Sequence, residues 1–229
     1  MTGRADPGRR SLLERYRAKR FAWLFFTLLL ALALHPIFEA ALPRLHPMDW
    51  LLGLTLAVAV AGVEQGRHTR ALLVLAAGFV AARLLDPLLG DARLHSLSQL
   101  CWAAASMIAA ALCVRHAFRS RGAGTDAERI FAALDAYLLA GLAFGSLYWV
   151  LERELPGSFG PAPLELTPQL AVYVSLATMS TLGPGNVVAM NGPARGLMTF
   201  EAVAGQIYLA VLVARLVSLY GQPKGGQAG

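Results

Sequence analysis

The sequence predicts an all-α polytopic membrane protein with six transmembrane helices and a short re-entrant helix and loop between the fifth and sixth. Three observations predict it. The chain is 56% hydrophobic and only 15% charged over 229 residues, with a mean hydropathy of +0.53, whereas soluble domains carry roughly 25% charged residues. The apolar residues fall into runs, and the charges cluster between the runs. A helix rises ~1.5 Å per residue, so about 20 apolar residues cross a ~30 Å hydrocarbon core. Between the last two runs lies a shorter apolar segment that ends in a Gly-Pro-Gly loop.

The six spans are read at about 21–42, 48–63, 71–89, 97–114, 130–151 and 196–220. Each must be helical, because backbone groups in lipid are satisfied only within the segment itself. Pro36 and Pro43 bend or end the first span, which follows a long basic segment, carries no suitable cleavage site and reads as a retained helix rather than a signal peptide. The second is the shortest. The third holds Arg83 and Asp86, spaced to pair with each other at i,i+3 near its outer end. Asp135, early in the fifth span, is expected at the inner interface.

Basic residues orient the bundle. With both termini inside, Arg4, Arg9, Arg10, Arg15, Arg17, Lys19 and Arg20 precede the first span on the cytoplasmic side. Arg67, Arg70, Arg115, Arg119, Arg121, Arg129, Arg215 and Lys224 join them, and only Arg44, Arg93, Arg153 and Arg195 fall outside. That distribution divides the chain into a basic cytoplasmic N-terminus (1–20), a four-helix peripheral bundle (21–115), a C-terminal two-helix module (127–220) and a short cytoplasmic tail (221–229). The net charge of +6 belongs to this topology rather than to nucleic-acid binding, and the partner it implies is the lipid bilayer.

The segment between the fifth and sixth spans carries the chemistry. Residues 156–168 are rich in Pro and Gly and read as an outer loop. Thr167 followed by Pro168 is a helix-start signal, an N-cap with Pro at the first helical position. Residues 169–180 then form an apolar helix too short to span, broken by Thr181-Leu182-Gly183-Pro184-Gly185-Asn186. Irregular backbone at membrane depth is tolerated only where protein buries it or where it lines a water-filled path. A helix C-terminus carries about half a negative charge and favours a nearby cation. Glycines at alternate positions let successive carbonyls turn one way, and rings of carbonyls from several subunits replace a cation's hydration shell.

With those residues in place, the stretch 127–220 resembles the two-helix pore module of potassium channels of the bacterial two-pore-domain-like (ion-channel type 2) family. The family filter reads Thr-Val/Ile/Leu-Gly-Tyr/Phe-Gly-Asp, and here it stands as residues 181–186, TLGPGN. The lead-in from Tyr173 to Ser180 matches the pore helix in pattern. Ala194-Arg195, Glu201-Ala202, Gly205-Gln206-Ile207-Tyr208 and Val213-Ala214-Arg215 resemble the inner helix. The resemblance implies a homotetramer that conducts a cation passively across a bacterial inner (plasma) membrane and is not an enzyme. Potassium, or sodium, is then the permeant ion, bound at the carbonyls of Thr181, Leu182, Gly183 and Pro184, with no cofactor. It further implies that Gly185 shapes the outer mouth and that Gly205 is a gating hinge. Glu201, in the first turns of the sixth span behind the pore helix, is expected to brace the filter, with pairing to Arg195 as the alternative. Two residues depart from the family: Pro184 stands at the aromatic position and Asn186 at the acidic one. Proline fixes φ near −65° and has no N–H, and Asn186 removes one negative charge per subunit from the mouth. A non-selective cation channel and a non-conducting scaffold that keeps the pore fold are therefore the alternatives.

Other chemistries find little support. Cys101 and Cys113 lie ~18 Å apart on a straight helix, beyond disulfide reach. His35, His46, His68, His95 and His116 have no partner at metal-ligand spacing. The fourth span lacks the regularly spaced basic residues of a voltage sensor. The GxG at Gly183–Gly185 follows no strand of a βαβ unit. Paired broken helices in two halves, the mark of a transporter, are not evident, since only one such element is found.

Overall fold

The computed structural model describes residues 19–41, 72, 74–75, 77–81, 92–118, 126–161 and 165–220. Among the described residues, the elements with full bounds are α1 (Arg20–Ala41), α2 (Ala92–Phe118), α3 (Asp126–Glu154), β1 (Phe159–Gly160), α4 (Pro168–Met179), β2 (Val188–Ala189) and α5 (Gly192–Tyr220). Among the described residues, three stretches are long and apolar enough to cross a membrane: His95–Phe118, Asp126–Glu154 and Gly192–Ser218. The apolar part of α1, Arg20–Leu34, falls short of that length. The chain is thus a mostly helical membrane protein. The expected spans at 48–63 and 71–89 lie wholly or largely outside the described residues, as do Arg83, Asp86 and the tail 221–229. Pro36, expected to bend or end the first helix, lies within α1, which runs on to Ala41.

Two compact units divide between Leu139 and Ala140, inside α3. In the first unit, Phe21, Leu24 and Leu28 bury one face of α1, at the i, i+3, i+7 spacing of a helical stripe. Phe25 and Phe26 meet Phe131 of α3 with ring centroids 5.6 and 5.8 Å away. The Phe21 ring lies 4.4 Å from that of His116 on α2. The Phe21 N–H, one of the donors that a helix start leaves without an intrahelical acceptor, reaches Glu128 Oε2 at 3.1 Å. Alanines at 103, 105, 109 and 110 of α2 and 132, 133 and 136 of α3 are buried, so short side chains fill these helix faces. Asp135 stands between the buried Ala133 and Ala136 in the α3 sequence. It is fully buried, and neither carboxyl oxygen has a hydrogen-bond partner.

The second unit begins in the C-terminal half of α3 and contains everything from there to the end. Its core gathers Tyr148, Phe159, Leu166, Ala171, Val174, Val187 and Ala194. α4 forms where the sequence places it. Thr167 caps it by accepting the Leu170 N–H, and Pro168 opens the first turn. The segment read as an outer loop instead supplies β1, which pairs antiparallel with β2 through Phe159↔Ala189 and Gly160↔Val188. That connection is tied down by charge and amide. Glu152 accepts the N–H groups of Gly157 and Phe159, each at 2.8 Å. Asn191 donates from Nδ2 to Ser158 Oγ and accepts the Ala194 N–H on Oδ1, which starts α5.

Glycine sets how closely α3 and α4 approach. A methyl group on Gly145 would sit 2.7 Å from Val172 Cα and 3.0 Å from its backbone nitrogen. No rotamer change relieves a clash with backbone, so the helices must part. Gly145→Ala is expected to lower stability by about 1–3 kcal/mol, the range for overpacking a tight contact, measured by reversible unfolding in mixed micelles. Gly141→Ala meets only the flexible end of Leu176 and is expected to cost less in the same measurement.

Candidate functional site

α4 ends at Met179, and the chain leaves it through Ser180 into the loop 181–186. The backbone of that loop is divided between two sides. Two of its N–H groups turn back to the helix, Thr181 to Thr178 O and Gly183 to Ala177 O at 3.2 and 3.0 Å, after Ser180 has donated to Leu176 O at 3.0 Å. The Pro184 carbonyl also turns inward and accepts the Val187 N–H at 3.0 Å. Among the described residues, the carbonyls of Thr181, Leu182, Gly183 and Gly185 accept no hydrogen bond. All four residues are exposed, Leu182 by 74%.

The geometry that achieves this requires left-handed backbone. Thr181 has φ of 60° and Gly183 of 75°. Glycine takes that conformation at little cost. A β-branched residue there is an outlier, at roughly 1–2 kcal/mol, and such strain persists where the surroundings over-determine it. The Thr181 hydroxyl donates to Ser180 O at 2.6 Å, leaving its oxygen as an acceptor beside the loop carbonyls.

Beyond the loop opens a groove of about 540 Å³, lined by Gly183, Pro184, Val187, Arg195 and Met198 among others. Arg195 is the charged residue in that lining. Its Nε donates to Ala189 O at 3.1 Å, so the guanidinium belongs to the groove rim and does not pair with Glu201. Asn186 is exposed beside it.

Behind α4 stands Glu201 of α5, with no exposed surface. Tyr148 of α3 donates to its Oε2, and the Ser175 hydroxyl of α4 lies within hydrogen-bond distance of Oε1. Ser175 also reaches the Gly141 carbonyl of α3 at 2.7 Å. A single carboxyl therefore joins three helices. One turn further along α5, Gln206 Nε2 donates to Met179 O, the last carbonyl of α4, at 2.9 Å. Gly205 lies against the same residue, where an added methyl would stand 3.3 Å from Met179 O. α5 is continuous through Gly205, and close approach to the end of α4 is the role its contacts describe.

Of the six loop residues read from the sequence, Thr181, Leu182, Gly183, Gly185 and Asn186 are exposed, whereas Pro184 is buried and its carbonyl, expected among the ion-binding oxygens, is taken by the Val187 N–H; Glu201 and Gly205 touch the helix that carries the loop. Tyr148, Ser175, Gly141 and Gln206 escaped the sequence reading. The one signal available was Glu201 itself, since a carboxyl in an apolar run demands polar partners. Among the described residues, no group of three or more His, Cys, Asp or Glu side chains converges as a metal site.

Gln206→Leu is expected to cost about 1 kcal/mol, the usual net worth of one hydrogen bond, read by the same micelle unfolding. Thr181→Gly is expected to raise stability by up to about 1 kcal/mol through relief of the left-handed strain. The same change at Thr178, inside α4, is expected to lower it. The chain matches no protein-family model, no curated protein and no solved structure.

Proposed function

We propose that the chain is one subunit of a homotetrameric cation channel, with 181–186 as the selectivity filter and potassium as the principal permeant ion. In this reading the chain has six spans and α4 is a re-entrant pore helix. α3 and α5 are the outer and inner pore helices, and the earlier spans form a peripheral bundle. The assembly sits in a bacterial inner membrane with both termini cytoplasmic. It conducts passively, performs no catalysis and uses no cofactor.

One observation carries the reading: four carbonyls on an exposed loop, at the C-terminal end of a twelve-residue helix, accept nothing from their own chain. Unsatisfied backbone oxygen costs several kcal/mol in hydrocarbon. Four copies around an axis turn that cost into an ion site, because the oxygens then stand in for the water around a dehydrated cation. The α4 dipole adds negative potential at its C-terminus. Phe200, Val203, Ile207 and Val211 leave an exposed apolar stripe along α5, which suits contact with neighbouring subunits or lipid.

The Pro184 carbonyl favours a less selective version of the same pore. Its bond to Val187 N–H draws one oxygen ring back from the axis, and no aromatic ring occupies that position to brace the loop. Fewer rings give weaker discrimination between potassium and sodium. A scaffold that keeps the fold without conducting is the limiting case.

Flux from liposomes reconstituted with the full chain tests the proposal. Potassium flux that barium blocks is the expected result, and no flux of any cation at any imposed voltage would overturn it. Pro184→Tyr is expected to raise the potassium-to-sodium flux ratio several-fold. An unchanged ratio in that variant would place the filter elsewhere.

A further inference from the structure

The oxygens around Glu201 cannot all be joined by the hydroxyl protons present. Three contacts are made: Tyr148 to Glu201 Oε2, Ser175 to Glu201 Oε1, and Ser175 to Gly141 O. Tyr148 and Ser175 supply one proton each. If Glu201 were a carboxylate, Ser175 would donate either to Gly141 O or to Oε1. The other oxygen would then face a Ser175 lone pair at contact distance with no proton between them. The third proton has one place to reside, the carboxyl itself.

The surroundings agree. Tyr148 of α3 and Ser175 of α4, the groups that meet the carboxyl, are both neutral hydroxyls, and among the described residues no basic side chain pairs with it. Arg195, the nearest arginine on the same helix, is bound to Ala189 O. A buried charge without a counter-ion is strongly disfavoured, whereas a carboxylic acid donates once and accepts once and leaves nothing unpaired.

We propose that Glu201 is a positioning residue that acts as an uncharged carboxylic acid. It donates to Ser175 and accepts from Tyr148, and so fixes α4 and the loop 181–186 that α4 carries. The chain of bonds runs Tyr148 O–H to Oε2, the carboxyl O–H to Ser175 Oγ, and Ser175 O–H to Gly141 O. Every donor has one acceptor. This deepens the channel reading, on which the effect on ion preference rests. The protonation itself does not depend on conduction.

Glutamine reproduces this pattern, with its amide oxygen accepting from Tyr148 and its NH₂ donating to Ser175. It cannot imitate a carboxylate, which only accepts. Infrared difference spectra of the purified full chain, wild type minus Glu201→Gln, are expected to show loss of a protonated-carboxyl C=O stretch. Loss of a carboxylate band pair instead would overturn the proposal whether or not the protein conducts. In liposome flux, Glu201→Ala is expected to lower the potassium-to-sodium ratio at least several-fold and Glu201→Gln to restore it to within about twofold of wild type. A glutamine variant as impaired as the alanine variant would show that the charge is required, and the proposal would fail. Absence of flux in the wild type would remove the channel reading, and the infrared bands alone would then decide the state of Glu201.

Discussion

A helix of twelve residues is about 18 Å long and cannot cross a bilayer. The second unit is organised around holding such a short helix in place. α4 receives no stability from spanning, so its position comes from neighbours on two sides. Gly145 brings α3 close enough for backbone contact with Val172. Glu201 fixes the face that α4 turns toward α5, through Ser175. Gln206 and Gly205 hold its final residue, Met179. The three devices differ in chemistry: shape for approach, a buried polar chain for orientation, and one amide for the terminus.

The loop inherits its properties from that arrangement. The Thr181 and Gly183 N–H groups are taken up by the last turn of α4, while the carbonyls of Thr181, Leu182, Gly183 and Gly185 accept nothing from the described residues of the chain. An open groove then follows without any acidic residue in its lining, and Arg195 gives the rim a positive charge. Asn186 adds no charge to the loop. In the proposed channel reading, attraction of a cation to this loop comes from backbone dipoles rather than from side-chain charge, with α4 contributing through its C-terminal end.

The first unit is built on other terms. Phenylalanine rings from α1 meet Phe131, and short alanines line the buried faces of α2 and α3. Within this apolar packing Asp135 is completely enclosed with no partner for either oxygen, while Glu128, one heptad earlier on α3, accepts the Phe21 N–H. Two acids on one helix face thus have different roles: one ties the start of α1, and the other stands alone.

The amino-acid sequence by itself determined the helices and the start of α4. Long apolar runs, Thr167 with Pro168, and the Gly-Pro-Gly break act through local forces that need no knowledge of neighbours. The loop 181–186 was legible for the same reason, since only glycine-rich backbone takes left-handed turns readily. The β1–β2 bridge escaped, because two-residue strands carry no periodic pattern. So did the lack of a hydrogen-bond partner for either carboxyl oxygen of Asp135. The partners of Glu201 were decided only by tertiary structure. Tyr148, Ser175 and Gly141 lie 26 to 60 positions away in the chain, and nothing local marks a hydroxyl that will meet a carboxyl once three helices close around it.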